Sequence, residues 1–231
     1  MALEVFVPDA LWLREYLVRM GGARFNARMT VIRLRNGEVL VHSPSAFEDS
    51  VAAEVAALGR VAALIAPGNY HWIRVPWWQA AFPDAVTYVC PGVEKRAKGL
   101  AFDFVLGDQA PPLWADELSQ VVLQGTRVMR EVAFFHRASR TLILTDLVEN
   151  FTSATPGTNL FLRVLFRALG MWNRPSPAPE YRFAWGDKAR VREGMERILA
   201  WDFERVILSH GDIITRDARA TVAQAWRKIL S

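Results

Sequence analysis

The chain has 231 residues, of which 52% are apolar and 23% charged, a balance typical of a globular protein with a substantial core. Its formal net charge of +4 comes from arginines spread along the sequence, without the dense basic tract typical of nucleic-acid-binding proteins. The single Cys90 excludes an internal disulfide and is typical of a reducing compartment. With no signal-like start and no long uncharged apolar run, we expect a cytoplasmic protein with no transmembrane segment.

The first half of the chain alternates predicted strands and helices. Asn36-Gly37 lies between apolar runs at 29–34 and 39–42 and predicts a tight hairpin, whereas irregular structure is expected around Gly21-Gly22. Helical spacing of apolar residues ends at Gly59. Further predicted elements are strands at 61–65 and 86–89, and a helix that follows Pro76.

The second half adds a further group of strands and helices. Its predicted elements are strands at 120–123, 131–136, 141–145 and 206–208, and helices at 160–172, 188–199 and 218–230. This order favours an α/β fold with two sheets. We predict a single domain over residues 1–231, in which residues 151–180 form a helical insertion with a proline-rich linker.

Four polar side chains follow short apolar runs that predict buried strands. They are His42, His71, Asp146 and His210. Strand ends commonly carry ligands because the strand fixes the backbone while the next loop turns the side chain into a cleft. Three imidazoles and a carboxylate at four strand ends could together form a metal site. The same side chains could instead bond to one another without any metal.

Five phrases in order carry a resemblance to a known family. They are Leu-Val-His42-Ser-Pro, the segment 66–74 with His71, the segment 124–127, Leu-Thr-Asp146-Leu, and Leu-Ser-His210-Gly-Asp. This succession resembles the metallo-β-lactamase superfamily over nearly the whole chain apart from 159–179. His-Ser-Pro, Asn-x-His-x-x-x-x-x-Trp and Phe-Pro-x-Ala resemble, more narrowly, its domain-of-unknown-function branch DUF4336. The resemblance implies an αββα four-layer sandwich with two mixed β-sheets.

The sequence departs from the superfamily's ligand pattern at four positions. Asn69, Ile73, Arg74 and Thr126 stand where the superfamily has three histidines and an aspartate. An ordinary two-zinc centre is therefore not expected. Two alternatives remain open.

The first alternative is one zinc, iron or manganese ion held by His71, Asp146 and His210, with His42 nearby. The second is no metal, with the Arg74 guanidinium paired to Asp146 in place of the ion.

These alternatives imply two functions. With one ion, the protein would be a hydrolase of an ester, thioester or phosphoester, in which Asn69, Trp72 and Arg74 contact a small-molecule substrate and the catalytic residues are unassigned. Without an ion, it would be a non-catalytic protein that binds a ligand or partner.

Two further acidic residues near these positions each have two possible roles. Glu149 is either a general base or a solvated loop acid, and Asp212 either orients His210 or caps a helical turn.

The apolar helix predicted at 160–172 carries Arg163 and Arg167 one turn apart. It either packs on the domain, covers the cleft, forms a homo-oligomer contact, or lies on a membrane surface with its basic residues at the headgroups.

Overall fold

The computed structural model describes residues 2–184 and 186–231. The chain divides into two compact units: unit 1 comprises Met1–Tyr16 and Arg28–Gly107, and unit 2 comprises Leu17–Ala27 and Asp108–Ser231. Within the described residues, none of the helices has the length and apolar character needed to cross a membrane.

Unit 1 is built on a seven-stranded mixed sheet with strand order β1-β2-β3-β4-β5-β6-β7. Residues 17–27, the far ends of β2 and β3 with the turn between them, belong to unit 2. The elements are β1 (Glu4–Val7), β2 (Leu11–Met20), β3 (Ala23–Arg33), β4 (Val39–His42), α1 (Asp49–Leu58), β5 (Val61–Ala66), α2 (Val75–Ala81), β6 (Val86–Val89), α3 (Val93–Arg96) and β7 (Phe104–Val105).

The parallel part of this sheet explains where its polar residues lie. Strand β5 is buried along its whole length between β4 and β6, and both neighbours run parallel to it. Parallel strands are normally covered on both faces, so an uninterrupted apolar run suits this position. The carboxyl ends of β4 and β5 therefore meet at one sheet edge, where His42 pairs with Ile65.

Unit 2 is built on a four-stranded sheet with order β11-β10-β9-β8, in which β10 and β11 are parallel and the other pairs antiparallel. Its further elements are β8 (Leu118–Leu123), β9 (Glu131–His136), β10 (Thr141–Leu144), α4 (Leu160–Ala168), α5 (Pro179–Phe183), α6 (Lys188–Leu199), β11 (Arg205–Leu208), α7 (Ala218–Ala225) and α8 (Arg227–Leu230). Helix α6 packs closely on β8, where a Cβ on Gly194 would lie 2.9 Å from Leu123. The predicted α/β architecture with two mixed sheets is confirmed.

Several element bounds differ from the prediction. Strand β3 begins at Ala23, six residues before the predicted start, so β2 and β3 form one long hairpin about Gly21-Gly22. Both glycines have positive φ, which suits this turn, and pairing between strands overrides the weak local pattern. Helix α4 ends at Ala168, before Gly170 at φ +65°, rather than at residue 172. The two-residue β7 was not predicted.

Candidate functional site

Asp146 follows β10 on a loop that a buried glutamate holds in place. Glu131, at the start of β9, has no exposed surface, and its carboxylate accepts the backbone N–H groups of three consecutive residues. The N···O distances are 2.5 Å for Thr145, 2.7 Å for Asp146 and 2.8 Å for Leu147. A carboxylate that accepts several N–H groups fixes a loop firmly, because those donors would otherwise be buried without partners. The sequence analysis missed Glu131, although an acid opening the apolar run 132–135 was the available signal.

Burial, followed by the nearby Asp146 carboxylate, raises the pKa of Glu131 to about 7, although hydrogen bonds from Thr145 and from the Asp146 backbone N–H act in the opposite direction. Unit 2 therefore places the carboxyl group of Asp146 close to a second buried carboxyl group. A positive charge bound at Asp146 would relieve this repulsion.

His210 follows β11, and two contacts orient its ring. Its Nδ1 lies 3.2 Å from the Asn26 carbonyl oxygen, and its Nε2 lies 3.4 Å from Asp146 Oδ1. The Asn26 side chain also binds the backbone of Gly211 through Oδ1 at 3.2 Å and Nδ2 at 3.5 Å. The structure thus brings together Asp146 and His210 as predicted, and adds Asn26, which the sequence analysis missed.

The residue after His210 can only be glycine. Gly211 has φ +85°, and a Cβ there would lie 2.3 Å from the backbone of Asn150. The tight approach of these two backbone segments therefore depends on the His-Gly pair. This close approach fixes the backbone directly after His210, where the chain turns away from β11.

The two contacts of His210 determine which ring nitrogen can bind a cation. A carbonyl oxygen only accepts, so Nδ1 carries the hydrogen that it donates to Asn26. In the neutral ring, Nε2 then presents a lone pair towards the Asp146 carboxylate, which is repulsive unless a proton or a metal ion lies between them. The 3.4 Å separation matches two ligand atoms around a tetrahedral ion with bonds of about 2.0–2.2 Å.

Glu149 is the third carboxyl group of this region. The residue is half-buried, but its Oε2 atom is inaccessible and has no hydrogen-bond partner among the described residues. Burial raises the pKa of Glu149 well above its ordinary value, and the neighbouring Asp146, Glu180 and Glu131 raise it further. The carboxyl group of Glu149 is therefore only partly open to solvent.

Asp212 takes neither of the roles considered for it. Its Oδ2 accepts the Thr152 hydroxyl hydrogen, and its carbonyl oxygen accepts a hydrogen bond from Asn150 Nδ2 at 3.0 Å. The ring of His210 is oriented by Asn26 instead. Asp212 thus ties together the loop that follows Asn150.

In unit 1, His71 and His42 lie near the carboxyl ends of the parallel strands. His71 Nδ1 lies 2.6 Å from the Ser43 hydroxyl oxygen, and Ser43 has a φ of +55°. His42 is 1% exposed, and burial, followed by the proximity of His71, lowers its pKa to about 3. His42 is therefore neutral at physiological pH, as metal binding and apolar packing both require.

The residues predicted to contact substrate lie close to His71 in sequence but differ in exposure. Asn69 is buried, whereas Trp72 and Arg74 are half-buried. Arg74 immediately precedes α2 and forms no ion pair with any described residue of its own unit. Thr126 lies in unit 2, where its hydroxyl bonds to the Met129 carbonyl oxygen.

Comparison with known proteins shows that the sequence matches the model of one family. The model of the family described as domain of unknown function DUF4336 matches residues 8–166. No curated protein matches the sequence. Three similar solved structures are a metallo-β-lactamase from Pontibacter korlensis, the FIM-1 metallo-β-lactamase from Pseudomonas aeruginosa in its mono-zinc form, and a metallo-β-lactamase from Hirschia baltica.

The likeness to these structures extends along the whole chain. The Pontibacter enzyme has 9% identity and a TM-score of 0.67, covering 97% of this chain and 99% of its own. FIM-1 has 11% identity and a TM-score of 0.66, with 99% and 96% covered. The Hirschia enzyme has 14% identity and a TM-score of 0.64, with 97% and 98% covered. At such identities the likeness establishes the metallo-β-lactamase fold and nothing finer.

Proposed function

This chain belongs to the family described as domain of unknown function DUF4336, and we propose that it is a hydrolase dependent on one metal ion. Its substrate would be an ester, a thioester or a phosphoester. The observation that carries the proposal is the approach of His210 Nε2 to Asp146 Oδ1 at 3.4 Å, with Nδ1 already committed to a carbonyl oxygen.

The proposed ligands are His71, Asp146 and His210, each of which offers one ligand atom. Ser43 engages Nδ1 of His71, so Nε2 is the ring nitrogen that would bind the ion. Two imidazoles and one carboxylate suit zinc, iron or manganese, and such a set keeps a coordination position for water. The structure named as the mono-zinc form of FIM-1 is a precedent for a single ion in this fold.

When bound, an ion of this kind acidifies water and polarises the bond to be cleaved. The residues of the chain would prepare the site for it. Asp146 contributes charge, Glu131 fixes the loop that carries Asp146, and Asn26 fixes the ring of His210. His42 would remain neutral beside His71 and so leave the positive charge to the ion.

Substrate contacts are proposed for Asn69, Trp72 and Arg74. The guanidinium of Arg74, without an ion-pair partner among the described residues of unit 1, suits a carboxylate or phosphate group on the substrate. Trp72 offers apolar surface, and Asn69 offers an amide.

The test is hydrolysis by protein stripped with a chelator and then reloaded with zinc, iron(II) or manganese(II). We expect at least one of p-nitrophenyl acetate, an acyl thioester and bis-p-nitrophenyl phosphate to be cleaved only by reloaded protein. His210→Gln should lose this activity. His136→Gln is the matched control, because His136 bonds to Ser139 at a strand end outside the proposed ligand set. Equal activity with and without metal would overturn the proposal.

The second candidate is a metal-free protein that binds a ligand or partner, with Arg74 beside Asp146 in place of the ion. In this candidate the guanidinium would supply the positive charge that the crowded carboxyl groups of unit 2, with the raised pKa values of Glu131 and Glu149, favour. It predicts that Arg74→Ala lowers the free energy of unfolding and that chelators change nothing. A melting temperature that rises on addition of zinc would exclude it.

A further inference from the structure

Helix α4 has two apolar faces, and only one of them is covered. Leu162 and Phe166 are buried in unit 2, where Phe166 packs edge-on against Phe151. The remaining apolar side chains are exposed: Leu160 by 75%, Phe161 by 51%, Val164 by 57% and Leu165 by 38%. A contiguous exposed row of this kind is uncommon and marks an interaction surface.

The arrangement around the helix is that of a surface-lying amphipathic segment. At 3.6 residues per turn, the four exposed side chains span about 140° of the circumference, and the buried pair lies on the opposite side. Arg163 and Arg167 fall on the border between these faces. Both guanidinium groups lie against the ring of Trp172, at 5.9 Å and 5.0 Å from its centroid.

The turn between β2 and β3 extends the exposed row. Asn159, which caps α4, donates from Nδ2 to the Gly22 carbonyl oxygen at 2.8 Å and accepts the Arg24 N–H at 3.1 Å. The ring of Phe161 lies 3.8 Å from where a Cβ of Gly22 would be. Two further apolar side chains, Leu17 and Met20, are exposed by 55% and 61% beside this turn.

We call these six side chains the apolar platform: Leu17, Met20, Leu160, Phe161, Val164 and Leu165. All of them belong to unit 2. Since they come from two chain segments that are tied by hydrogen bonds, the platform is a built surface rather than one frayed helix.

The two chain segments that form the apolar platform carry charges of one sign. Neither residues 16–37 nor residues 150–179 contain an aspartate or a glutamate, although the chain has 24 such residues. Basic side chains in these segments include Arg19, Arg24, Arg163 and Arg167, of which Arg19, Arg24 and Arg167 are exposed. An apolar surface with a cationic border is complementary to an anionic lipid interface.

We propose that the apolar platform docks the protein on an anionic lipid membrane. The apolar side chains enter the boundary between headgroups and acyl chains, and the arginines contact lipid phosphates. A second copy of the chain fits less well, because a symmetric contact would bring arginine borders together without acidic partners in these segments. The proposal does not depend on the proposed hydrolase function, since it involves no metal and no ligand residue.

The test is co-sedimentation of the whole chain with phosphatidylcholine vesicles, with and without phosphatidylglycerol. We expect binding to the anionic vesicles that weakens as the salt concentration rises. The double variant Phe161→Ser with Val164→Ser should bind at least about tenfold more weakly, since it removes two membrane-inserting side chains. Val5→Ser is the matched control, because Val5 is 55% exposed on a strand of unit 1.

The contribution of the arginine charges to vesicle binding is tested separately. Arg167→Gln should weaken binding to anionic vesicles about fivefold, whereas Arg190→Gln, on the exposed surface of α6, should not. Circular dichroism of each variant verifies that the fold is retained.

Two outcomes would overturn the proposal. One is equal vesicle binding by the wild type and the double variant. The other is a concentration-dependent dimer that the double variant abolishes while the wild type ignores vesicles, which would make the platform a contact between copies.

Discussion

The two units hold their candidate site residues by different means. In unit 2, side chains form hydrogen bonds to the backbone. The Glu131 carboxyl group accepts three N–H groups, and Asn26 forms hydrogen bonds to His210 and to the backbone of Gly211. In unit 1, the Ser43 hydroxyl group bonds to Nδ1 of His71, and burial keeps His42 neutral.

Unit 2 thus offers buried carboxyl groups that would stabilise a bound cation, whereas unit 1 offers a neutral imidazole. Burial, followed by neighbouring carboxylates, raises the pKa values of Glu131 and Glu149 in unit 2, so a bound cation would relieve repulsion there. In unit 1, burial keeps the His42 imidazole in the neutral form, which offers a lone pair. We therefore expect substitutions in unit 2 to lower the free energy of unfolding and the zinc affinity more than substitutions in unit 1 do.

The largest effect is expected from Glu131→Ala. It leaves three buried N–H groups without acceptors, at about 1–3 kcal/mol each, and relief of repulsion with Asp146 offsets part of that. We predict a loss of about 3–5 kcal/mol in the free energy of unfolding, measured by urea denaturation. Glu193→Ala, on the exposed face of α6, is the control. A loss no larger than in the control would show that the N–H groups do not depend on Glu131.

Asn26→Ala should have the next largest effect. It removes the hydrogen bonds to Gly211 but keeps the backbone carbonyl that orients His210. The expected loss is about 1–2 kcal/mol of unfolding free energy, together with about tenfold weaker zinc binding in competition with a coloured chelator. Unchanged zinc affinity alongside lowered stability would limit Asn26 to a structural role.

Ser43→Ala tests the corresponding support in unit 1. Only one hydrogen bond to His71 is lost, and water can replace it because His71 is half-buried. We predict a stability loss below about 1 kcal/mol and a smaller change in zinc affinity than for Asn26→Ala. If Ser43→Ala proves the more damaging of the two variants, the comparison between the units fails.

The smallest expected effect is the dependence of the free energy of unfolding on pH. The folded-state pKa of Glu149 is raised, so its contribution favours the folded protein at low pH and is lost as pH rises above its unfolded value near 4.5. The pKa of His42 is lowered to about 3, so its contribution is lost as pH falls below 6.5. Above pH 6.5 only the acids still act: the pKa of Glu131 is raised to about 7, so metal-free protein should lose stability as pH rises from 6.5 through 7.

Glu149→Gln should lose less stability than the wild type between pH 5 and pH 8, because the amide mimics the neutral acid and the contribution of His42 is the same in both proteins. Thermal melting of stripped protein at the two pH values measures the difference. The same slope in wild type and variant would show that Glu149 ionises normally.

Much of the fold could be predicted because buried strands and helices have strong periodic patterns. The uninterrupted run of β5 and the helix at 188–199 are examples, and the latter matches α6 residue for residue. The early part of β3 could not be predicted, because residues 23–28 alternate weakly and are ordered by pairing with β2.

The candidate site was predictable only in its strand-end residues. Asp146 and His210 follow apolar strands, and their proximity followed from the family resemblance. Glu131 and Asn26 act through backbone groups far away in sequence, 14 and 185 residues for Thr145 and Gly211, and no local pattern reveals such partners. Partners of this kind are fixed only when the chain is folded.

The most direct test of the central claim is the metal content of the chain after stripping, incubation with zinc, iron(II) or manganese(II), and removal of excess ion. Elemental analysis should find about one ion per wild-type chain, because the proposed set supplies three protein ligands to a single centre. Asp146→Asn and His210→Gln should each lose that ion, whereas His136→Gln should keep it. Wild-type protein that retains no ion after all three incubations would contradict the account.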